Sequence, residues 1–296
     1  MRKLLVVLMP IAIIAALSAI ASLAAYGLLR LTGDVLPLHK AISKLTLIML
    51  LLSVFPLRKW LQLSWGELGF APARAFFKQM GQGLLFALLT LSPVLALLYA
   101  LDVLVWDEAR VWTPGKVLEK TAVSLFFALL IGVGEEMLFR GLLLSALKRR
   151  LPLIAAIGIS SFYFAVLHFF KSQTRIPYEQ QSLGSGFRLM EEAFVNWLDP
   201  QYLSALLALF VVGTFLAVLR SRLPQSLSLC IGCHAGWVWQ IKLSKDLCDV
   251  NQQSEHLYLI NIHYDGVIGP LVSVWLAMAM LLWLLHRSAV TKNGSV

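Results

Sequence analysis

Apolar runs long enough to cross a bilayer follow one another along almost the whole of this chain. An α-helix needs about 20 mostly apolar residues to span a hydrocarbon core roughly 30 Å thick. Eight stretches approach that length, at approximately 4–29, 41–57, 81–106, 121–147, 152–170, 202–219, 223–241 and 267–286. Composition agrees: 59% of the 296 residues are hydrophobic and only 14% are charged, against about 25% charged in soluble domains. These proportions exclude a soluble globular enzyme, a disordered chain and a collagen-like fibre. The expected fold class is all-α, a polytopic membrane protein with about eight transmembrane helices.

The net charge of +9 does not call for nucleic acid, because no basic block interleaved with aromatics occurs. Lys and Arg at helix ends facing anionic lipid account for it. With the N-terminus inside, thirteen Lys and Arg fall in inner segments and eleven in outer ones. The clusters Arg58-Lys59, Lys148-Arg149-Arg150 and Arg220 with Arg222 lie in short connections, where the positive-inside rule has force. Both termini are expected to be cytoplasmic, and a bacterial inner membrane fits best. The first run follows Arg2-Lys3 and offers Ala19-Ile20-Ala21 as a small-x-small site. It continues to Leu29, beyond the ~7–15 apolar residues of a signal peptide, so an uncleaved helix is expected. Residues 58–80 mix Trp, Phe, Lys and Arg and suit the interface. Residues 171–201 read as a polar outer loop with Gly184, Ser185 and Gly186 at its tip. The chain divides into N-terminal helices (1–57), a core (58–241), and an outer loop, last helix and tail (242–296).

Charges inside a bilayer cost roughly 2.5–3.5 kcal/mol each on insertion scales, so those present need a reason. The fourth run carries Gly134-Glu135-Glu136-Met137-Leu138-Phe139-Arg140-Gly141. At 100° per residue Glu136 and Arg140 share a face and form an intrahelical pair, whereas Glu135 points elsewhere. A carboxyl without a partner in a low-dielectric site suits a general base. Glu135 is thus the better catalytic candidate and Glu136 the better organiser. A purely structural ion pair is the bland alternative. The fifth run contains His168, with Phe164 one turn earlier on the same face, placed to wall a site. In the seventh, Cys230-Ile231-Gly232-Cys233-His234 matches a c-type haem attachment pattern. The thiols sit inside an apolar run, however, which disfavours both haem and zinc through these Cys. Three cysteines give no disulfide framework.

Glu-Glu-x-x-x-Arg, then Phe-x-x-x-His, then a later intramembrane His is the motif order of the CAAX-protease and bacteriocin-processing family. The sequence resembles that family from about residue 60 to 241, and Leu68-Gly69-Phe70 adds to the likeness. The resemblance implies an intramembrane endopeptidase acting on a membrane-associated protein or peptide: a prenylated, leader or sorting-tail substrate. It implies catalytic roles for Glu135, Glu136, Arg140, His168 and His234, in a protein whose partners are that substrate and the lipid bilayer. One departure stands out. The family carries Asn four residues after its last His, an oxyanion ligand, and this chain has Val238. Trp237, within about 60° of His234 on a helix, is expected to supply an N–H donor instead. No cofactor is expected, since a glutamate-activated water needs no metal. Zinc on two His and a Glu is the alternative. A silent membrane scaffold and a small-solute transporter are the rival functions; the transporter lacks matching halves with broken helices. Counted as straight helices, Glu135 and His168 come out at unequal depth, which a break at Gly132 or Gly134, or tilting, would correct.

Overall fold

The computed structural model describes residues 2–293, with side chains described for 4–286. The side chains of Arg2, Lys3, Arg287 and Lys292, which count toward orientation, lie outside those described. Helices α1 (Arg2–Thr32) and α2 (Leu38–Trp60) pack on each other. A short turn, α3 (Trp65–Leu68), leads into α4 (Ala73–Ala100) and strand β1 (Leu104–Trp106). Helix α5 (Pro114–Glu136) continues as a π-helical segment, Met137–Leu143, and ends in α6 (Leu144–Lys148). Then come α7 (Leu153–Leu167), α8 (Ser185–Val195), α9 (Leu203–Arg222), α10 (Leu227–Leu247), β2 (Cys248–Val250) and α11 (Pro270–Asn293). The chain is all-α and polytopic, with one two-stranded antiparallel ribbon that pairs Leu104 with Val250 and Trp106 with Cys248.

Among the described residues five stretches are long and apolar enough to cross a membrane: Leu4–Thr32, Leu38–Trp60, Trp65–Ala100, Pro114–Lys148 and Pro200–Arg222. The remaining expected spans differ in kind. Helix α7 and the stretch Pro270–His286 are apolar but shorter. Helix α10 carries His234, Gln240, Lys242 and Lys245 and is less apolar, because α4 and α5 flank it. From Cys230 to Trp237 every residue is packed into protein, so lipid does not dictate its composition. The run expected at 81–106 starts earlier and ends earlier. Asp102 adopts a left-handed φ of 53°, which stops the helix and turns the chain into β1.

Small residues let α4, α5 and α10 approach closely, as membrane helices do. A Cβ added to Gly83 would run into the Leu229 carbonyl, and one on Gly232 into the Met80 carbonyl. Cys230 and Cys233 are fully buried in the same seam, and the Cys230 thiol lies 3.6 Å from the Leu216 carbonyl. They act as small packing residues, which leaves the haem pattern without accessible thiols.

At the end bearing the basic clusters, α3 is a docking point. Ser64 and Glu67 form a capping box, and Gly69 closes the turn at φ 99°. The Gly69 carbonyl accepts from the Leu227 N–H, and the Glu67 carbonyl accepts from Ser145 and Arg220. The Leu68-Gly69-Phe70 element is thereby explained: a left-handed glycine fixes the start of α10.

Residues 171–201 are not a loose polar loop. Helix α8 folds back on α1, where Ser185 and Gly186 are buried instead of forming an exposed tip. Gly186 lies so close to Ser22 that a Cβ would approach its side chain to 2.7 Å. Glu192 ties the preceding strand of chain to this helix by accepting from the Ser172 hydroxyl and the N–H groups of Gln173 and Thr174.

Candidate active site

Helices α5, α7 and α10 bring together Glu135, Glu136, Arg140, Phe164, His168 and His234. Glu136 Oε1 accepts from Arg140 Nη1 at 2.9 Å and from His234 Nδ1 at 2.8 Å. Both members of the ion pair are buried. The i,i+4 pairing is preserved although the helix widens to π geometry immediately after Glu136, a feature frequent at functional sites. Arg140 reaches on to the Gly213 carbonyl at 3.2 Å and lies 4.2 Å from the Phe164 ring centroid. The Phe139 carbonyl, facing α7, accepts from the Ser160 hydroxyl at 3.1 Å. Phe164 stands edge-on to His168 at 4.7 Å and to His234 at 5.7 Å, so it walls the site.

Glu135 points away from this network, as the helical spacing requires. Its Oε2 lies 3.7 Å from His168 Nε2 and 3.9 Å from His234 Nε2. That oxygen is buried and has no hydrogen-bond partner. Each imidazole is held by its other nitrogen. His168 Nδ1 lies 2.7 Å from the Phe164 carbonyl, which can only accept, so that nitrogen carries the hydrogen. His234 Nδ1 likewise donates to the Glu136 carboxylate. Two Nε2 atoms and one carboxylate oxygen therefore face a common space, too far apart for direct hydrogen bonds and spaced to hold a small group between them.

Helix α5 runs unbroken through Gly132 and Gly134, and the depth mismatch narrows instead at the start of α7. Helix α7 begins at Leu153 and His168 is its C-cap. At 1.5 Å per residue, His168 is about 23 Å from the helix start and Glu135 about 20 Å from Lys148.

Trp237 is present at the site, but its N–H is not. Nε1 donates to Thr90 Oγ1 at 2.8 Å, within the α4–α10 packing. The expectation of an indole donor facing a reacting oxygen is corrected accordingly: Thr90, 147 positions away, accepts that hydrogen bond. Val238, in the place of the family Asn, lines the cavity beside Glu135. Tetrahedral ligands about 2.0–2.1 Å from zinc sit roughly 3.3 Å apart, closer than the Glu135–His separations here. Among the described residues no three His, Cys, Asp or Glu side chains are grouped to hold a metal ion.

Two cavities meet at Glu135 and His168. One, of about 260 Å³, lies between α1, α2 and α8 and is lined by Ser18, His39, Ser43, Thr46 and many apolar side chains. The other, of about 300 Å³, runs along α10 past His234, Trp237 and Val238 to Lys242, Lys245, Tyr264 and Asp265. The sequence reading missed these linings. His39, Ser43 and Thr46 at i, i+4 and i+7 form a polar stripe on one helix face, and that periodicity was the available signal.

Residues 117–240 match the family model described as type II CAAX prenyl endopeptidase Rce1-like. Residues 117–240 are an Rce1-like domain. The match takes in α5, α7, α9 and most of α10, and with them all the side chains gathered here. It is narrower than the expected 60–241, since Leu68-Gly69-Phe70 lies outside it. No curated protein and no solved structure matches the chain. Apolar helices long enough to span a membrane, together with this match over residues 117–240, support an integral membrane protein.

Proposed function

We propose that this protein hydrolyses a peptide bond of a membrane-associated protein or peptide, with Glu135 activating the attacking water. The observation that carries the reading is the unpartnered Oε2 of Glu135, facing two imidazole Nε2 atoms whose opposite nitrogens are already fixed. A water in that space donates one hydrogen to Glu135 and the other to His168 Nε2. Its oxygen attacks the scissile carbonyl as Glu135 takes the proton. The negative charge that develops on the carbonyl oxygen is met by His234, donating from a protonated Nε2. Collapse of the tetrahedral intermediate breaks the C–N bond, and Glu135 returns its proton to the leaving amine. Glu136 and Arg140 hold His234 and the helix face. No metal takes part in this scheme. The N-terminus is cytoplasmic, in a bacterial inner membrane, and the substrate is a prenylated, leader or sorting-tail polypeptide.

Val238 favours a second reading, a silent scaffold, because a valine on the cavity wall donates no hydrogen bond. One comparison separates the two: protein termini in membranes of cells carrying the wild type or Glu135→Gln. The swap keeps the shape and removes the base. A defined set of proteins uncut only with the Gln variant is expected, with turnover of the purified enzyme falling about 10²–10⁴-fold. Identical termini in the two strains would sink the protease reading and leave the scaffold.

A further inference from the structure

We infer that Lys242 and Lys245 bind the C-terminal carboxylate of the substrate, holding it at the far end of the α10 cavity from Glu135. This rests on the endopeptidase reading for the bond that is cut, but the binding it asserts is separable from cleavage.

His234, Val238, Ile241, Lys242 and Lys245 fall at i, i+4, i+7, i+8 and i+11, one continuous stripe of α10, and all five line a single cavity with Glu135 and His168. The stripe starts at the reacting groups, passes apolar side chains and ends in two ammonium groups. Lys242 makes no hydrogen bond or ion pair among the described residues, and Lys245 meets only the more distant charge of Asp265. The nearest competing acids are already occupied. Asp246 pairs with Lys120 at 3.7 Å. Asp265 Oδ1 accepts from the N–H groups of Val267 and Ile268, and burial pushes its carboxyl above the usual carboxylate range. Two cations, only Lys245 facing an acid, stand at the far end of the cavity from Glu135 and fit one mobile anion.

The distance selects the anion. Eight residues of α-helix separate His234 from Lys242, about 12 Å along the axis. An extended peptide advances about 3.3–3.6 Å per residue. A chain whose carbonyl lies at Glu135 thus reaches Lys242 after about three or four residues. The main-chain carboxylate that ends a polypeptide meets the lysines there.

The test uses the full-length Glu135→Gln protein, so that nothing is cut, in nanodiscs of zwitterionic phosphatidylcholine. The probe is a fluorescent S-farnesylated tetrapeptide, prepared as the free acid and as its C-terminal amide, and the readout is anisotropy. The free acid is expected to bind about tenfold or more tightly than the amide, the scale of a charge-assisted hydrogen bond. Lys242→Gln with Lys245→Gln should bring the two affinities together. Lys116→Gln, which removes an equal charge outside the cavity and breaks no ion pair, should leave the preference intact. Equal affinities in the parent protein, including failure to bind either peptide, overturn the inference. So does a preference that survives the double lysine change. Repeating the series in anionic phosphatidylglycerol discs shows whether lipid headgroups compete: a preference abolished there, with the lysines intact, assigns them to lipid and also overturns it. An acid preference in a protein whose unaltered Glu135 form leaves the peptide uncut removes the endopeptidase reading while the carboxylate site stands.

Discussion

Glu135 and Glu136 are adjacent, chemically identical and differently employed, and their surroundings predict opposite outcomes for the same substitution. Glu136 has no exposed surface and its Oε1 satisfies both Arg140 and His234. Glu136→Gln leaves the Arg140 guanidinium buried without a counter-charge, which costs about 3–5 kcal/mol. A marked drop in melting temperature in detergent is expected. Glu135 is 21% exposed and its Oε2 has no hydrogen-bond partner, so Glu135→Gln should melt with the wild type while losing turnover. Comparable melting losses for both would show that Glu135 is structural too. On α10, Trp237→Phe removes an N–H that serves Thr90. Its expected cost is about 1 kcal/mol of stability with turnover within a few-fold of wild type. Val238→Asn puts an amide on the cavity wall and should raise turnover by about tenfold or more, within the range of one oxyanion donor. A large loss of turnover in Trp237→Phe would restore the indole as a catalytic donor.

Elements were legible in the sequence where local spacing governs and illegible where partners lie far along the chain. The Glu136–Arg140 pair, the divergence of Glu135 and the Phe164–His168 contact all follow from helical periodicity. The bond from His234 to Glu136 spans 98 positions and the one from Trp237 to Thr90 spans 147, and no periodicity encodes either. The π segment after Glu136, which packs against α2, α3 and α7, was equally hidden. Residues 171–201 looked like a loop because they are polar, yet one apolar face, with Leu189 at its centre, suffices to dock α8 on α1 and α2. The position of His234 depends on how closely α10 approaches α4. Gly232→Leu should push the helices apart at the Met80 carbonyl, costing about 1–3 kcal/mol or more, and should displace His234 from Glu136. Reduced turnover along with reduced stability is expected, while Gly158→Leu on α7, where a Cβ would meet no atom within 4 Å, should spare both. Wild-type turnover in Gly232→Leu would show that the α4–α10 approach does not set the site.

The whole molecule has two unlike ends, and the difference bears on how a substrate arrives. At one end the cations of three short connections converge on α3: Arg149 donates to the Leu61 carbonyl at 2.6 Å and Arg220 to the Glu67 carbonyl at 2.9 Å. At the other end lie the ribbon of β1 and β2, helix α8 and the mouths of both cavities, near His39 and Ser172 for one and Lys245 and Tyr264 for the other. If the basic end faces the cytoplasm, as short Lys- and Arg-rich connections do, Glu135 is reached from the outer side. Labelling decides it. Cys230 and Cys233 are buried and only Cys248 is partly accessible, so Cys248→Ser gives a quiet background. In it, Gln253→Cys should react with a membrane-impermeant maleimide on intact cells, and Lys59→Cys only after the cells are broken; both positions are exposed. The opposite pattern would reverse the protein in the membrane, opening both cavities to the cytoplasm.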